Sequence, residues 1–124
     1  MNRAGVERWI AGYEQLWRTP GTDRLGELFT EDASYLASPW ATAVFGLDAL
    51  AEFWEAERVS AEEVFDMRSA VVAVDADTAV VRVEVDYAAS GARWRDLWVL
   101  EFADDGRCRA FEEWPFAPDQ RDGH

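Results

Sequence analysis

The sequence comprises 124 residues with a formal net charge of -13, and 49% of its residues are hydrophobic. This length and composition are typical of one globular domain, and we expect a single domain over residues 1–124 with an ordered core over about residues 6–116. The acidic charge argues against nucleic acid and anionic membrane surfaces as partners, because both bind basic patches. All 12 basic residues are arginine, which excludes a lysine Schiff base and a Walker-type phosphate loop.

Cysteine and histidine usage bears on the compartment and on the available chemistry. The single cysteine, Cys108, has no partner for an intramolecular disulfide, which favours a reducing compartment. The sequence shows no basic-then-apolar leader and no membrane-length apolar run, so we expect a cytoplasmic protein. The only histidine is His124, and we expect no imidazole catalysis, no metal site and no other cofactor.

Three helices are predicted in the N-terminal half. Apolar residues recur at three- and four-residue intervals over residues 2–18, the pattern of an amphipathic helix. Thr22 is a suitable N-cap for a short second helix. A brief strand over residues 33–37 and an apolar loop over residues 39–46 precede a third helix, predicted over about residues 47–58.

The hydrophobic pattern changes to a period of two after Ser60. Such alternation predicts β-strands with one buried face, here over residues 62–75, 77–88, 93–103 and 107–116. Short turns between these segments make neighbouring strands antiparallel. Helices followed by a meander of strands predict an α+β fold, in which three N-terminal helices pack on a strongly bent antiparallel sheet.

The last two predicted strands form a hairpin around residues 104–106, whose glycine can take the positive φ that a three-residue turn requires. Counting outward with Phe102 opposite Cys108 then indicates which side chains share the inner face. That face is apolar except for two carboxylates, Asp96 and Glu112. The pair is therefore predicted to lie in the wall of a pocket.

We predict that Asp96 and Glu112 are catalytic, together with Tyr13 of the first helix as a hydrogen-bond donor to a ligand oxygen. Burial and mutual repulsion raise carboxyl pKa values, which suits such groups to general acid–base catalysis. The structural alternative is that each carboxylate only accepts a hydrogen bond from an indole, a tyrosine or an arginine. The predicted substrate-binding residues are aromatic: Trp17, Tyr35, Trp40, Trp54, Trp98 and Trp114.

The opposite face of the hairpin predicts a homodimer. Leu97, Val99 and Phe111 form an apolar centre there, surrounded by charged residues. This arrangement is expected for a self-complementary interface. The expected partners are therefore a second copy of the chain and a small apolar ligand.

Three segments together resemble the nuclear transport factor 2-like superfamily, and within it the SnoaL-like branch of polyketide cyclase relatives. They read LGELFTEDASYLASP, GLDALAEFW and DLWVLEFADDGRCRAFEEW, in that order over roughly residues 6–116. The resemblance implies a cone in which a strongly bent sheet wraps around the helices and leaves a cavity between them. It also implies dimerisation through the outer face of the sheet.

The resemblance leaves the reaction open, because the superfamily holds isomerases, dehydratases, epoxide hydrolases, cyclases and non-catalytic binding domains. Tyr13 matches the pocket tyrosine of ketosteroid isomerases, whereas Ser38 stands at their catalytic base and Trp98 at their oxyanion-hole aspartate. One expectation is a cofactor-independent isomerase, cyclase or lyase-type enzyme that acts on a small apolar or aromatic, polyketide-like substrate. The alternative is a non-catalytic ligand-binding or dimerisation module. An open cavity with a carboxylate facing it would favour the enzyme, and a filled interior would favour the module.

Overall fold

The computed structural model describes residues 1–58, 60 and 62–121, so that His124 lies outside the described residues. The chain forms α1 (Arg3–Trp17), a 3-10 turn (Leu25–Glu27), β1 (Phe29–Leu36), β2 (Val44–Phe45), α2 (Leu47–Glu57), β3 (Phe65–Asp75), β4 (Thr78–Tyr87), β5 (Arg93–Phe102) and β6 (Cys108–Phe116). Within the described part of the chain, no helix is long and apolar enough to cross a membrane.

Two of the three predicted helices form, and α1 begins directly after a residue whose side chain caps the helix. The Asn2 side-chain oxygen accepts a hydrogen bond of 2.8 Å from the backbone N–H of Gly5, which satisfies one free N–H group at the helix end. The predicted second helix is wrong, because only the 3-10 turn Leu25–Glu27 forms there. Gly26 lies at the centre of that turn, and glycine disfavours a longer helix.

The six strands form one bent sheet in the order β2-β1-β6-β5-β4-β3. The four long strands that follow α2 confirm the predicted antiparallel meander, with their ends shifted by up to three residues. The expectation of a wholly antiparallel sheet is wrong, because β1 pairs with β6 in parallel. The predicted apolar loop also contains β2, which pairs with β1. The main core lies between the helices and the inner face of this sheet.

The β5–β6 hairpin determines which side chains of the last strand reach the interior. Its turn forms as predicted, with a glycine φ of 89° and with Phe102 opposite Cys108. Beyond that pair, Arg109 is an extra residue on β6, so that Glu101 pairs with Ala110. This β-bulge shifts the register by one residue, which reverses the face of every later side chain on β6.

Burial of Phe111 explains the bulge. In the unshifted register Ala110 would face the core and Phe111 would face outward. In the structure Phe111 is 1% exposed, and its ring stacks on Tyr35 with 4.4 Å between centroids. Because a fully buried phenylalanine side chain contributes roughly 1.5–3 kcal/mol, the larger side chain favours the shifted register.

The shifted register corrects the predictions that counted straight from the turn. Glu113 faces the interior, whereas Glu112 and Trp114 lie on the outer face. Phe111 belongs to the core and not to the centre of the outer apolar patch, so that part of the predicted dimer surface is wrong. On β5 the side chains face as predicted, with Trp98 buried inside and Leu97 exposed outside.

Candidate active site

An open cavity of about 590 Å³ lies between the helices and the inner face of the sheet. This volume is in the range of small-molecule sites. Aromatic and apolar side chains make up most of its wall, and the lining residues are Tyr13, Trp17, Tyr35, Ala37, Ala41, Phe53, Glu57, Glu63, Phe65, Met67, Val85, Tyr87, Ser90, Ala92, Trp94, Asp96, Trp98, Glu113 and Pro115. The interior is therefore not filled by the protein's own side chains.

Two carboxyl groups line the cavity from neighbouring strands, Asp96 on β5 and Glu113 on β6. Asp96 lies opposite Pro115, two residues beyond Glu113. The two acids are therefore diagonal neighbours on one face, with α-carbons on the order of 7–8 Å apart. Across residues 1–58, 60 and 62–121, no group of three or more His, Cys, Asp or Glu side chains could hold a metal ion.

Burial raises the pKa of both acids. The pKa of Glu113 lies well above its ordinary value, first because the group is desolvated and then because of its hydrogen bond to the charged Asp96. The pKa of Asp96 is also raised by desolvation, and the hydrogen bond with Glu113 opposes that rise. Each of these neighbouring acids therefore keeps its proton to a higher pH than an isolated carboxyl group would.

Two buried polar atoms beside this pair have no hydrogen-bond partner among the described residues, Asp96 Oδ1 and Trp98 Nε1. Trp98 is only 2% exposed. Its indole is close enough to lower the pKa of both acids, although no hydrogen bond of ordinary geometry forms. The Trp98 indole therefore favours the charged form of both acids.

Tyr13 and Tyr35 form a hydroxyl pair in the same cavity, with 3.3 Å between their oxygens. Burial raises the pKa of both phenols well above the ordinary value, and the charges of nearby acids raise it further. Both groups therefore stay protonated at neutral pH and can act as hydrogen-bond donors. The Tyr13 ring packs 4.7 Å from Trp98 between centroids, which holds its hydroxyl in place.

Five of the nine predicted site residues line the cavity, namely Tyr13, Trp17, Tyr35, Asp96 and Trp98. The other four lie elsewhere. Trp54 is fully buried behind the wall, 5.1 Å from Tyr13 between ring centroids. Trp40 is 98% exposed on the loop before β2. Glu112 and Trp114 meet on the outer face, where the indole N–H donates a hydrogen bond of 2.6 Å to the carboxylate.

Glu113 is the candidate residue that counting along the sequence did not reveal. Because adjacent residues of a strand face opposite ways, one of Glu112 and Glu113 must point inward. A count along β6 that assumes no bulge selects Glu112, whereas the structure places Glu113 in the cavity wall. The available signal was Phe111, since an aromatic residue belongs in the core in preference to Ala110 and brings Glu113 to the same face.

Comparisons with known proteins add the family. No curated protein matches the chain. SalBIII, an epoxide hydrolase/cyclase-like enzyme with a role in pyran ring formation in the polyether salinomycin, has a TM-score of 0.70 and 14% identity over 89% of each chain. A candidate polyketide cyclase from Sinorhizobium meliloti has a TM-score of 0.67 and 23% identity, over 86% of this chain and 93% of its own.

A candidate ketosteroid isomerase from Parabacteroides distasonis has a TM-score of 0.63 and 20% identity, over 90% of this chain and 87% of its own. At these identities the likeness establishes the fold alone. The family model described as the SnoaL-like domain matches residues 6–111. Because this match spans most of the chain, the protein belongs to the SnoaL-like domain family, within the nuclear transport factor 2-like superfamily.

Proposed function

We propose that the protein is a cofactor-independent isomerase, cyclase or lyase-type enzyme that moves a proton on a small, largely apolar or aromatic substrate. The observation that carries this proposal is the Asp96–Glu113 pair, two neighbouring acids of raised pKa that line one open aromatic cavity. A raised carboxyl pKa brings an acid closer to neutrality, where general acid–base catalysis is most effective.

In the proposed mechanism the two acids take different roles. Asp96 is the general base, because its side chain lines the cavity and the interaction with Glu113 favours its charged form. Glu113 is the general acid, because its pKa is raised well above the ordinary value and its proton can pass to another substrate atom. Tyr13 donates a hydrogen bond to a substrate oxygen on which negative charge develops, with Tyr35 beside it.

The similar structures support the same class of substrate. Their names refer to an epoxide hydrolase/cyclase-like enzyme, a polyketide cyclase and a ketosteroid isomerase. Ring-forming and isomerising enzymes of this kind suggest a polyketide-like or similarly apolar molecule. The resemblance to ketosteroid isomerases places Ser38 and Trp98 at the positions of their acids, so the proposed acids of this chain differ from theirs.

Exchange of carbon-bound protons with solvent tests the proposal before the natural substrate is known. The probe is 1-phenyl-2-propanone in D2O, and ¹H NMR follows loss of its acidic C–H signals. We expect the parent protein to accelerate the exchange, and Asp96→Asn and Glu113→Gln to slow it by roughly 10²–10⁴-fold. Glu112→Gln is the matched control, because it makes the same substitution at the adjacent position, which lies on the outer face.

Measuring binding and proton exchange of the same ketone distinguishes an enzyme from a non-catalytic ligand-binding module. Line broadening of the ketone signals by the protein would show binding. Binding with exchange no faster than in buffer alone would refute the enzyme and favour the ligand-binding module. Equal acceleration by the parent and by both inner-face variants would refute the assigned residues.

A further inference from the structure

The cavity wall carries acidic groups without basic ones. Four carboxyl groups line it, from Glu57, Glu63, Asp96 and Glu113. None of the described lining residues is an arginine, and the sequence contains no lysine. Negative charge of this kind inside low-dielectric walls focuses the electric field and concentrates cations.

Aromatic rings form much of the remaining wall, among them Trp17, Tyr35, Tyr87 and Trp94. The ring of Phe65 already stacks on a cation of the protein, the Arg18 guanidinium, at 3.8 Å from its centroid. The face of an aromatic ring carries partial negative charge and attracts ammonium groups, by about 0.5–2 kcal/mol for each well-placed ring. Aromatic rings and carboxylates thus favour the same kind of ligand, one with an apolar body and a positive charge. Among the described lining residues, no side chain carries a positive charge that would neutralise an anion.

The buried atoms at the acid pair point to the same ligand. Asp96 lines the cavity beside Glu113, and its Oδ1 has no hydrogen-bond partner among the described residues. The buried Trp98 indole favours the charged form of both acids, but it carries no charge that would balance them. A buried carboxylate is costly until a cation or a hydrogen-bond donor compensates it.

We infer that the ligand of this cavity carries a positively charged nitrogen on an apolar or aromatic body, with the nitrogen beside Asp96 and the body against the aromatic wall. The same charges exclude carboxylates and phosphates. This inference rests on the proposed function, because it takes the same cavity to be the substrate site. A positive nitrogen next to the reacting carbon also acidifies its C–H bond, so the group that selects the substrate would ease the proposed proton transfer.

Calorimetric titration at neutral pH with three probes on one aromatic scaffold tests the inference. The probes are benzyltrimethylammonium, the neutral 2-phenylethanol and the anionic phenylacetate. We expect the ammonium to bind at least about tenfold more tightly than the alcohol, a difference of about 1.4 kcal/mol, and phenylacetate to give no measurable binding.

Charge-removing variants locate the effect. Asp96→Asn should weaken ammonium binding by roughly three- to tenfold, as expected for loss of one partly screened charge, and should leave alcohol binding within about twofold. Should Asp96→Asn fail to fold, Glu57→Gln removes a carboxylate from the same cavity wall and serves the same purpose. Glu84→Gln removes one charge from the outer face, where Glu84 pairs with Arg68, and should change none of the three affinities.

The outcomes distinguish this inference from the proposed function. Alcohol binding as tight as ammonium binding, or any binding of phenylacetate, would overturn the inference alone if the ketone exchange still depends on Asp96. If none of the three probes binds, the cavity is not the ligand site and both proposals fail. Selective ammonium binding without proton exchange on any bound ketone would leave the inference standing and refute the enzyme.

Discussion

Carboxylates on the two faces of the sheet differ in their partners and in the direction of their pKa shifts. On the outer face Glu84 lies 2.8 Å from an Arg68 nitrogen, and Asp86 lies 3.1 Å from an Arg95 nitrogen. Hydrogen bonding from Arg95 lowers the pKa of Asp86. On the inner face no arginine lines the cavity beside Asp96 among the described residues, and burial raises its pKa.

This difference arises from alternation along one strand. Arg95 and Asp96 are adjacent on β5, so their side chains point to opposite faces. The arginine meets the acids of β4 on the outer face, whereas the aspartate lines the cavity, where no described lining residue is an arginine. Exposed ion pairs contribute little to stability. Uncompensated buried acids reduce it, and groups retained at such a cost are candidates for function.

The largest expected change in stability comes from a substitution that removes the reason for the shifted register. Phe111→Ala removes the side chain that the bulge brings into the core, so we expect the free energy of unfolding to fall by about 3–5 kcal/mol. Urea denaturation measures this change. Leu97→Ala, on the exposed outer face, is the matched control and should cost well under half as much. Equal losses in the two variants would contradict the assignment of the faces.

The next-largest expected effect concerns association of two copies of the chain through the outer face. We propose that the protein is a homodimer through the exposed side chains of Leu97, Trp114 and Phe116, with Val99 beside them. Trp114→Arg should weaken the dimer by 2 kcal/mol or more, roughly 30-fold in Kd, as expected for a central aromatic residue. Light scattering over a concentration series measures this shift. A parent protein that is monomeric at micromolar concentration would dismiss the dimer.

A smaller expected effect concerns the stability that the protein loses by burying the acids of the inner face. Glu113→Gln removes a buried acid, so we expect the variant to be more stable than the parent at neutral pH, by roughly 0.5–2 kcal/mol. The folded-state pKa of Glu113 is raised, so the parent loses stability as the pH rises through that pKa, whereas the variant does not. The difference should therefore be larger at pH 8 than at pH 4.

Thermal melts of the parent and of Glu113→Gln at several pH values measure this difference. Glu112→Gln, on the outer face, is the matched control and should follow the parent's curve. A strong loss of stability in Glu113→Gln would instead indicate a buried charged pair that supports the fold.

The smallest expected effect concerns the outer ion pairs. The pKa of Asp86 is lowered in the folded state by Arg95, so its contribution is present at neutral pH and is lost as the pH falls through that lowered pKa. Asp86→Asn should thus be slightly destabilising at neutral pH, and the difference should shrink in acid and in high salt. Paired melts with and without added salt measure it. A destabilisation larger than that of Phe111→Ala would reverse the comparison between the faces.

The sequence predicted the elements better than the site. Periodicity located α1, α2 and the four long strands, because each buries one regular face. It did not predict β2, which has two residues, or the parallel pairing of β1 with β6, because short strands and pairings between distant segments leave no local pattern.

The site prediction depended on counting from one turn. The count was right on β5, where Asp96 and Trp98 line the cavity. It failed on β6 because a bulge adds one residue at Arg109, and a count of positions does not weigh the burial of Phe111 against that of Ala110. The diagonal carboxyl pair that was predicted does exist, but its second member is Glu113.

The central claim is that Asp96 and Glu113 are neighbouring acids of raised pKa inside the cavity. Titration of the side-chain carboxyl carbons by ¹³C NMR tests it most directly, with Glu112→Gln and Glu113→Gln used to assign the two neighbouring signals. We expect Glu113 to titrate well above the ordinary glutamate pKa of about 4.3, and the pKa of Asp96 to be raised as well. A Glu113 signal that titrates near the ordinary value would contradict the account.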